Sequence, residues 1–434
     1  MRKIISAAFF LSCILFFGIC EETESGFGVI RLNIEDAVKT ALENNISIKS
    51  SALELEKLSA VKKYSWGSVS PSISAGGIYR TNFEENADSL SFSGTVSLGL
   101  STNLYTTMKA ARLNYENGLL SYGETLRSVE LSVRKTFYAL LYEKENIELQ
   151  KRGLETNRVQ YQTNQEKFRN GKISELDVMT SRVTYEQKKP IVESAEISYK
   201  NDLALFKQIL GIEQNTEVEL DGTLDDVLEL KEIKLDSLPK VSEPAPKVRT
   251  AEKSLEIAKN SLLSSRFSAY GPSLSASYTY GITNAYSVTK NEKSWNNPEH
   301  SLSVGVNIPL DGYLPWSQGG LAVRSSKKSV EDAKLNLEVA KTSVQVEAEN
   351  YLRKINQGIG QIFSLKENEK LAEQAHNMSL TAYNYGKTDI LSLQNYSDSL
   401  LSARVSVKQQ AYSILSSLLD FENLLGLPFG SSIK

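Results

Sequence analysis

The residues that could carry catalysis or hold a metal are few and far apart. Two of the 434 residues are His and two are Cys. His300 falls in a stretch interpreted as a polar loop and His376 in a polar helical stretch, and neither has a Cys or a second His nearby. A zinc site needs several such ligands at short spacing, and the sequence has no glycine-rich phosphate loop or nucleophile elbow. The sequence therefore predicts no metal, no cofactor and no enzymatic activity.

The charge balance and the first residues bear on where the protein acts. The formal net charge is -3, which gives no clustered basic face for nucleic acid. Arg2 and Lys3 precede an apolar run that ends at Cys20, and acidic residues follow. This pattern is typical of a secretory signal, so residues 1–20 are predicted to be a signal peptide. An uncleaved N-terminal anchor and lipidation of Cys20 are the alternatives.

The chain carries one pattern twice. Residues 171–212 align with 386–427 without a gap, and each half predicts a helix, two strands and a pair of long helices joined by a Gly-Lys turn. The first repeat is predicted at 21–212, with a helix at 33–68, strands at 72–82 and 91–101 and a helical hairpin at 106–211. A connecting equatorial segment at 213–246, with a short strand at 217–220, leads to a second repeat at 247–434, with a helix at 247–267, strands at 273–282 and 301–310 and a hairpin at 318–427.

The four long predicted strands alternate apolar and small polar residues. In the last of them Leu302, Val304, Val306 and Ile308 alternate with serines, a glycine and Asn307. This period of two indicates a half-buried sheet, and runs of 9–11 residues match a tilted membrane-spanning strand. A soluble β-sandwich layer is the alternative for any strand taken singly.

Membrane insertion of four strands has a consequence for assembly. Four strands are too few to close around water, and an open sheet would leave backbone groups unpaired in lipid. Subunits are therefore expected to pool their strands into one transmembrane β-barrel. The polar segments 83–90 and 282–300 are expected to be loops at its external rim.

Two long stretches predict helices that exceed the size of a compact domain. Apolar residues recur every three or four positions through 126–154 and through 337–362, a narrow coiled-coil stripe. The first such helix is predicted to be about 95 Å long at 1.5 Å per residue. Gly171 and Gly386 are expected at the turns because glycine accepts a positive φ. Pro190 is expected to bend the returning helix of the first hairpin.

Several motifs, in a common order, resemble the TolC-like outer membrane factors (the outer membrane efflux protein family) over essentially all of the chain after the predicted signal peptide. Their order on a twice-written chain carries the resemblance, because each motif alone is weak. The motifs are Leu32–Ala37 with Ala41–Asn45 for the opening helix, Gly171–Val178 for the tip turn, Leu210–Ile212 with Val218–Gly222 for the mid-chain connection, and Val248–Glu252 for the start of the second half.

The resemblance implies a fold and a function. The implied fold is mixed α and β: a transmembrane β-barrel shared between subunits of a homotrimer, continued by a long α-helical coiled-coil barrel, on an internally duplicated chain. The barrel would lie in outer-membrane lipid and the helices in the periplasm. The trimer would act as the passive exit duct of a tripartite efflux or type I secretion system, with a periplasmic adaptor (membrane fusion) protein and an inner-membrane transporter of RND or ABC type. A coiled-coil structural or adhesin protein without a channel is the alternative, and a periplasmic enzyme is a more remote one.

The resemblance also implies site residues at the far ends of the hairpins. Gly171, Lys172, Gly386 and Lys387 form the two tip turns, which are expected to face the inner side of the periplasm and to dock the adaptor.

A gate is expected close to these turns. In the family the second tip helix often carries acidic residues that constrict the closed tunnel. The corresponding residues in this sequence are Ser392 and Asn395, both neutral. Asp177 and Asp389, nearer the turns, complete the set of candidate gate residues.

Overall fold

The computed structural model describes residues 30–83, 87–224, 244–287, 292–295 and 298–431. The predicted signal peptide, including Cys20, lies outside the described residues. The described chain is mostly helical with some sheet, so the prediction of a mixed α and β fold is confirmed. Within the described ranges, no helix combines the length and the apolar character needed to cross a membrane.

The chain begins with a short strand and two helices. Strand β1 (Ile30–Leu32) is followed by helix α1 (Ile34–Asn44), helix α2 (Ile46–Lys63) and a 3-10 turn at Ser65–Val69. The single helix predicted at 33–68 is therefore wrong, because it is interrupted at Asn45.

Asn45 interrupts the helix by acting as a cap. Its backbone is extended, with φ -60° and ψ 130°, and its side-chain oxygen accepts a hydrogen bond from the backbone N–H of Ser47 at 2.8 Å. Asparagine is a favoured N-cap because it can satisfy these otherwise free N–H groups. The Asn45 amide also donates to the carbonyl of Ile209 at 2.7 Å, so the break is fixed by a tertiary contact.

The central sheet is antiparallel. Strands β2 (Ser72–Asn82) and β3 (Ala87–Ser101) belong to the first half of the chain. Strands β5 (Ser273–Ser287), β6 (Glu292–Trp295) and β7 (Glu299–Asn307) belong to the second. The order is β2-β3-β5-β7, and β6 pairs with the far end of β5. Between them in the chain, β4 (Val218–Leu220) pairs in parallel with β1.

The strands differ from the predicted segments at their outer ends. β3 begins at Ala87, and β5 and β6 occupy much of the segment 282–300 that was predicted to be a loop. His300 consequently lies in β7 and not in a polar loop, whereas Ile308 lies just beyond the strand. Long hairpin strands satisfy their backbone hydrogen bonds in pairs, so polar side chains do not end them.

The register aligns like with like across the sheet. Val96 of β3 lies opposite Tyr278 of β5, which lies opposite Leu302 of β7. On the other face Thr95 lies opposite Thr279, and their hydroxyls are 3.1 Å apart. The predicted separation of an apolar face from a small polar face is therefore present in three dimensions.

Five long helices complete the fold. Helix α3 (Leu104–Arg169) and helix α4 (Glu175–Leu210) form the first hairpin, and α6 (Gln318–Asn384) and α7 (Ile390–Leu425) form the second. Helix α5 (Pro246–Tyr270) packs against α3 and α6. The 66 residues of α3 extend over about 100 Å.

The hairpins pack side by side through α3 and α7, which gives the order α4-α3-α7-α6. The main core lies where α1 meets these helices and contains Phe137, Phe206 and Phe421, each almost fully buried. Pro190 lies inside α4, which continues through it. The core fixes the bases of both hairpins and so positions their tips.

Candidate functional site at the hairpin tips

The two tip turns have the same backbone conformation. Gly171 and Gly386 each have φ +69°, as predicted for glycine at the end of a helix. The N–H of Lys172 donates to the carbonyl of Lys167 at 2.9 Å, and the N–H of Lys387 donates to that of Ala382 at 2.8 Å. These bonds satisfy helix-terminal carbonyls. A Cβ added at either glycine would meet no atom within 4 Å, so only the backbone conformation requires glycine.

The first candidate gate residue, Asp177, is a cap of the returning helix. Its carboxylate accepts hydrogen bonds from the backbone N–H of Ser174 at 3.1 Å and from the Ser174 hydroxyl at 2.8 Å. The Ser174 oxygen in turn accepts from the N–H of Asp177 at 3.2 Å. This reciprocal pair is a capping box, which stabilises the start of α4.

The second hairpin uses the same two residue types in reverse order. Asp389 is the N-cap of α7, and its carboxylate accepts from the backbone N–H of Ser392 at 2.6 Å. Hydrogen bonds from Ser392 hold the pKa of Asp389 below its usual value. Asn395 is exposed one turn further along α7. Three of the four candidate gate residues thus have a helix-capping role in the single chain, and Asn395 does not.

A buried polar contact that the sequence did not predict joins the hairpins near their tips. The Tyr383 hydroxyl of α6 donates to the side-chain oxygen of Asn164 on α3 at 2.7 Å, and Gln160 donates to the same oxygen at 3.0 Å. Asn164 is fully buried. Burial, and secondarily the charge of Asp177, raises the pKa of Tyr383. The Lys167 ammonium lies 4.6 Å from the tyrosine ring centroid.

The surface around the turns combines charge with exposed apolar side chains. Lys172 and Lys387 are exposed, and Leu176 and Tyr385 are 74% and 77% exposed. Such a surface is suited to contacting another protein, since isolated chains rarely expose large apolar residues together.

The histidines do not form a reactive site. The hydroxyl of Tyr278 and Nδ1 of His300 are 2.8 Å apart, so this pair is a hydrogen bond on the sheet. His376 lies on α6, where burial and the Arg404 charge lower its pKa. Within the described part of the chain, no three His, Cys, Asp or Glu residues are grouped so that they could hold a metal ion.

The chain is similar to several solved outer-membrane channels. The outer membrane channel CmeC of Campylobacter jejuni has a TM-score of 0.72 at 18% identity, over 91% of this chain and 85% of that one. The outer membrane protein VceC of Vibrio cholerae has a TM-score of 0.72 at 13% identity, over 91% and 96% of the two chains. The open-state channel MtrE of Neisseria gonorrhoeae has a TM-score of 0.68 at 17% identity, over 92% and 90%. At these identities the similarity shows the fold.

Sequence comparison adds the family. No curated protein sequence matches the chain. Residues 37–211, which extend from α1 to the end of the first hairpin, match the model of the outer membrane efflux protein family. The resemblance read from the motifs is therefore confirmed: this part of the chain belongs to the outer membrane efflux protein family, and the chain has the fold of outer-membrane channels.

Proposed function

We propose that the chain is the subunit of a homotrimeric outer-membrane duct, a passive exit without enzymatic activity for a tripartite efflux or type I secretion system. The observation that carries the proposal is the open sheet. In the order β2-β3-β5-β7, the edge strands β2 and β7 each have one side without a strand partner in the described chain. An open edge is untenable in lipid, so pairing of β7 with β2 of the next subunit would close the barrel.

The long helices support the same closure. In the order α4-α3-α7-α6, helices α4 and α6 are the outer members, and both expose apolar side chains along their length. Packing of α4 on α6 of the next subunit would bury them and continue the helical layer into a tunnel wall. These side chains are Leu176, Met179, Val183, Ile191, Ile197 and Leu205 on α4, and Leu321, Leu335, Val339, Val346, Phe363, Leu371 and Met378 on α6.

The apolar face of the sheet has the height of a membrane. On β3 this face extends from Leu90 to Leu100, which is about 33 Å along an extended strand. A tilt of about 40° reduces this to about 25 Å, the height of the apolar band of outer-membrane barrels. The opposite face of serine and threonine would line the water-filled interior.

Matching elements support internal duplication. Adding 215 to the bounds of α4 (Glu175–Leu210) gives those of α7 (Ile390–Leu425). The same shift relates the positive-φ glycines Gly171 and Gly386, and Gly211 and Gly426.

The tips would provide the partner site. Gly171, Lys172, Gly386 and Lys387 would dock a periplasmic adaptor, which connects the duct to an inner-membrane transporter of RND or ABC type. Constriction would occur at Asp177, Asp389, Ser392 and Asn395, which would meet their copies around the axis. The family match and the exposed tip surface support this arrangement.

The proposal is tested by the mass and the conductance of the purified protein. Detergent-extracted protein is expected to have about three times the mass of the 48.2 kDa chain, less any leader, and to conduct ions in planar bilayers. Val339→Asp places a charge on the exposed stripe of α6 and should shift the mass toward the monomer, whereas the matched Val339→Leu should not. A lipid-inserted monomer that does not conduct would overturn the proposal.

A further inference from the structure

A cavity of about 350 Å³ lies between the two hairpins, beyond the main core toward the tips. Helix α3 forms its base, and α4 and α7 form its walls. Its base contains Gly153, where an added Cβ would lie 3.6 Å from the nearest side-chain atom, of Leu401. The space is thus created partly by a glycine in the middle of a long helix, a residue that costs helix stability.

The lining has two chemical characters. Aliphatic side chains of α4 and α7, including Ile191, Leu401 and Val405, provide the apolar part. Amide and hydroxyl side chains, including Asn146 and Gln150 of α3, provide the polar part. A cavity of this size and mixture is typical of small-molecule sites.

The charges at the cavity neutralise each other. Lys188 of α4 and Asp398 of α7 also line it, and they form an ion pair with their nitrogen and oxygen 2.6 Å apart. The cavity therefore offers no net charge to a ligand, which favours an uncharged one.

One polar atom in the lining lacks a partner. The Gln150 amide nitrogen donates to the side-chain oxygen of Asn146 at 3.3 Å. The other end of the amide, Oε1, is buried and has no hydrogen-bond partner among the described residues. Buried polar atoms are nearly always hydrogen-bonded. If the amide were turned over, its nitrogen would occupy the unpartnered position instead, so one end lacks a partner in either orientation.

We propose that this cavity binds a small, uncharged amphiphile with a hydroxyl or amide head group and a short alkyl segment. The head group satisfies the Gln150 amide, and the alkyl segment contacts Ile191, Leu401 and Val405. Since the walls belong to different hairpins, a bound molecule holds α4 and α7 at a fixed separation. The proposal goes beyond the duct function and does not depend on it.

The probe is n-hexyl β-D-glucoside, which combines sugar hydroxyls with a six-carbon chain. Binding to the full chain in amphipol is measured by saturation-transfer NMR and by titration calorimetry. We expect saturable binding to the wild type and weaker binding of hexyl sulfate, which has a similar chain and a negative charge. Absence of saturable glucoside binding would overturn the proposal, as would tighter binding of hexyl sulfate.

Four variants locate the binding site. Gly153→Leu fills the cavity from α3 and Val405→Phe fills it from α7, and each should abolish binding. Gln150→Leu keeps the shape of the side chain but removes the amide, and should weaken binding about tenfold for one lost hydrogen bond. Gly123→Leu, on the same helix where an added Cβ meets no atom within 4 Å, should bind as the wild type does.

Two outcomes of the variant series decide against the cavity. Undiminished binding by Val405→Phe together with Gly153→Leu would refute it. Equal loss in Gly123→Leu, with the melting temperatures of all variants unchanged, would place the probe elsewhere on the protein and would also overturn the proposal.

Discussion

A titratable contact between α3 and α4 makes the stability of the first hairpin depend on pH. Glu143 of α3 faces Asp202 of α4, and burial together with the Asp202 charge raises the pKa of Glu143 from its usual 4.5 to about 7. Its Oε2 atom is buried without a hydrogen-bond partner in the described chain. Tyr142 and Tyr199 lie beside it, and burial followed by the Glu143 charge raises the pKa of both. No cation contributes to the shift of Glu143.

The sign of the effect follows from the direction of the shift. A carboxyl whose pKa is higher in the folded protein binds its proton more tightly there than in the unfolded chain. Its contribution to stability is therefore fully present below about pH 4.5 and is lost as the pH rises through about 7. A shift of this size corresponds to at most about 3 kcal/mol. Because the side chain is partly solvated, we expect about 1–2 kcal/mol.

Glu143→Gln removes the charge and keeps the shape. At pH 8 we expect the variant to be about 1–2 kcal/mol more stable than the wild type, and at pH 4.5 to be nearly equal to it. Thermal unfolding followed by circular dichroism between pH 4.5 and 8 measures both. Asp202→Asn should also reduce the slope, because it removes the opposing charge.

A nearby glutamate provides the control. Glu145 pairs with Lys408 of α7, at 2.9 Å between their charged atoms, so Glu145→Gln should lower stability at pH 8. If Glu143→Gln and the wild type lost stability in parallel from pH 4.5 to 8, the facing carboxyls would not be coupled and the reasoning would be refuted.

Three further predictions concern the sheet, the tips and the C-terminal segment. Val306→Arg should cost about 2–4 kcal/mol if Val306 faces lipid near the midplane, and Asn307→Arg much less; equal loss of folded protein in the membrane fraction would contradict insertion of this face. Gly171→Leu places a branched side chain at positive φ on an exposed turn, so export should fall while trimer assembly persists, whereas Gly171→Asn, which tolerates this φ, should retain more activity; normal export by assembled Gly171→Leu trimers would exclude tip docking. Phe429→Ala removes a ring whose centroid lies 4.6 Å from the Arg127 guanidinium and should lower stability by about 1–3 kcal/mol; an unchanged melting temperature would show that the C-terminal segment does not stabilise the helices.

The sequence was most informative where structure depends on local periodicity. The alternation in β7 predicted which residues share a face, because side chains in a strand point to opposite sides in turn. The Gly-Lys turns were predicted because only glycine adopts φ +69° at little cost. The family resemblance combined these local patterns with their order and gave the correct mixed fold.

Contacts between distant elements required the tertiary structure. The break at Asn45 was missed because its partner, the Ile209 carbonyl, is 164 residues away. Likewise, Asn164 reads as an ordinary polar residue on a helix, and only the packing of the hairpins buries it against Tyr383. Position in the sequence also placed Asp177 near a gate, whereas the structure shows its carboxylate occupied by Ser174.

The division has one physical cause. A periodic pattern determines which face of a helix or strand is apolar, and glycine or asparagine determines where that element can stop. Neither determines which other element that face contacts. The pairing of Glu143 with Asp202 and the positions of α4 and α6 at the edges of the helical layer depend on how α3 packs between its neighbours. The sequence by itself thus determined the elements and their faces, and the tertiary structure decided their partners.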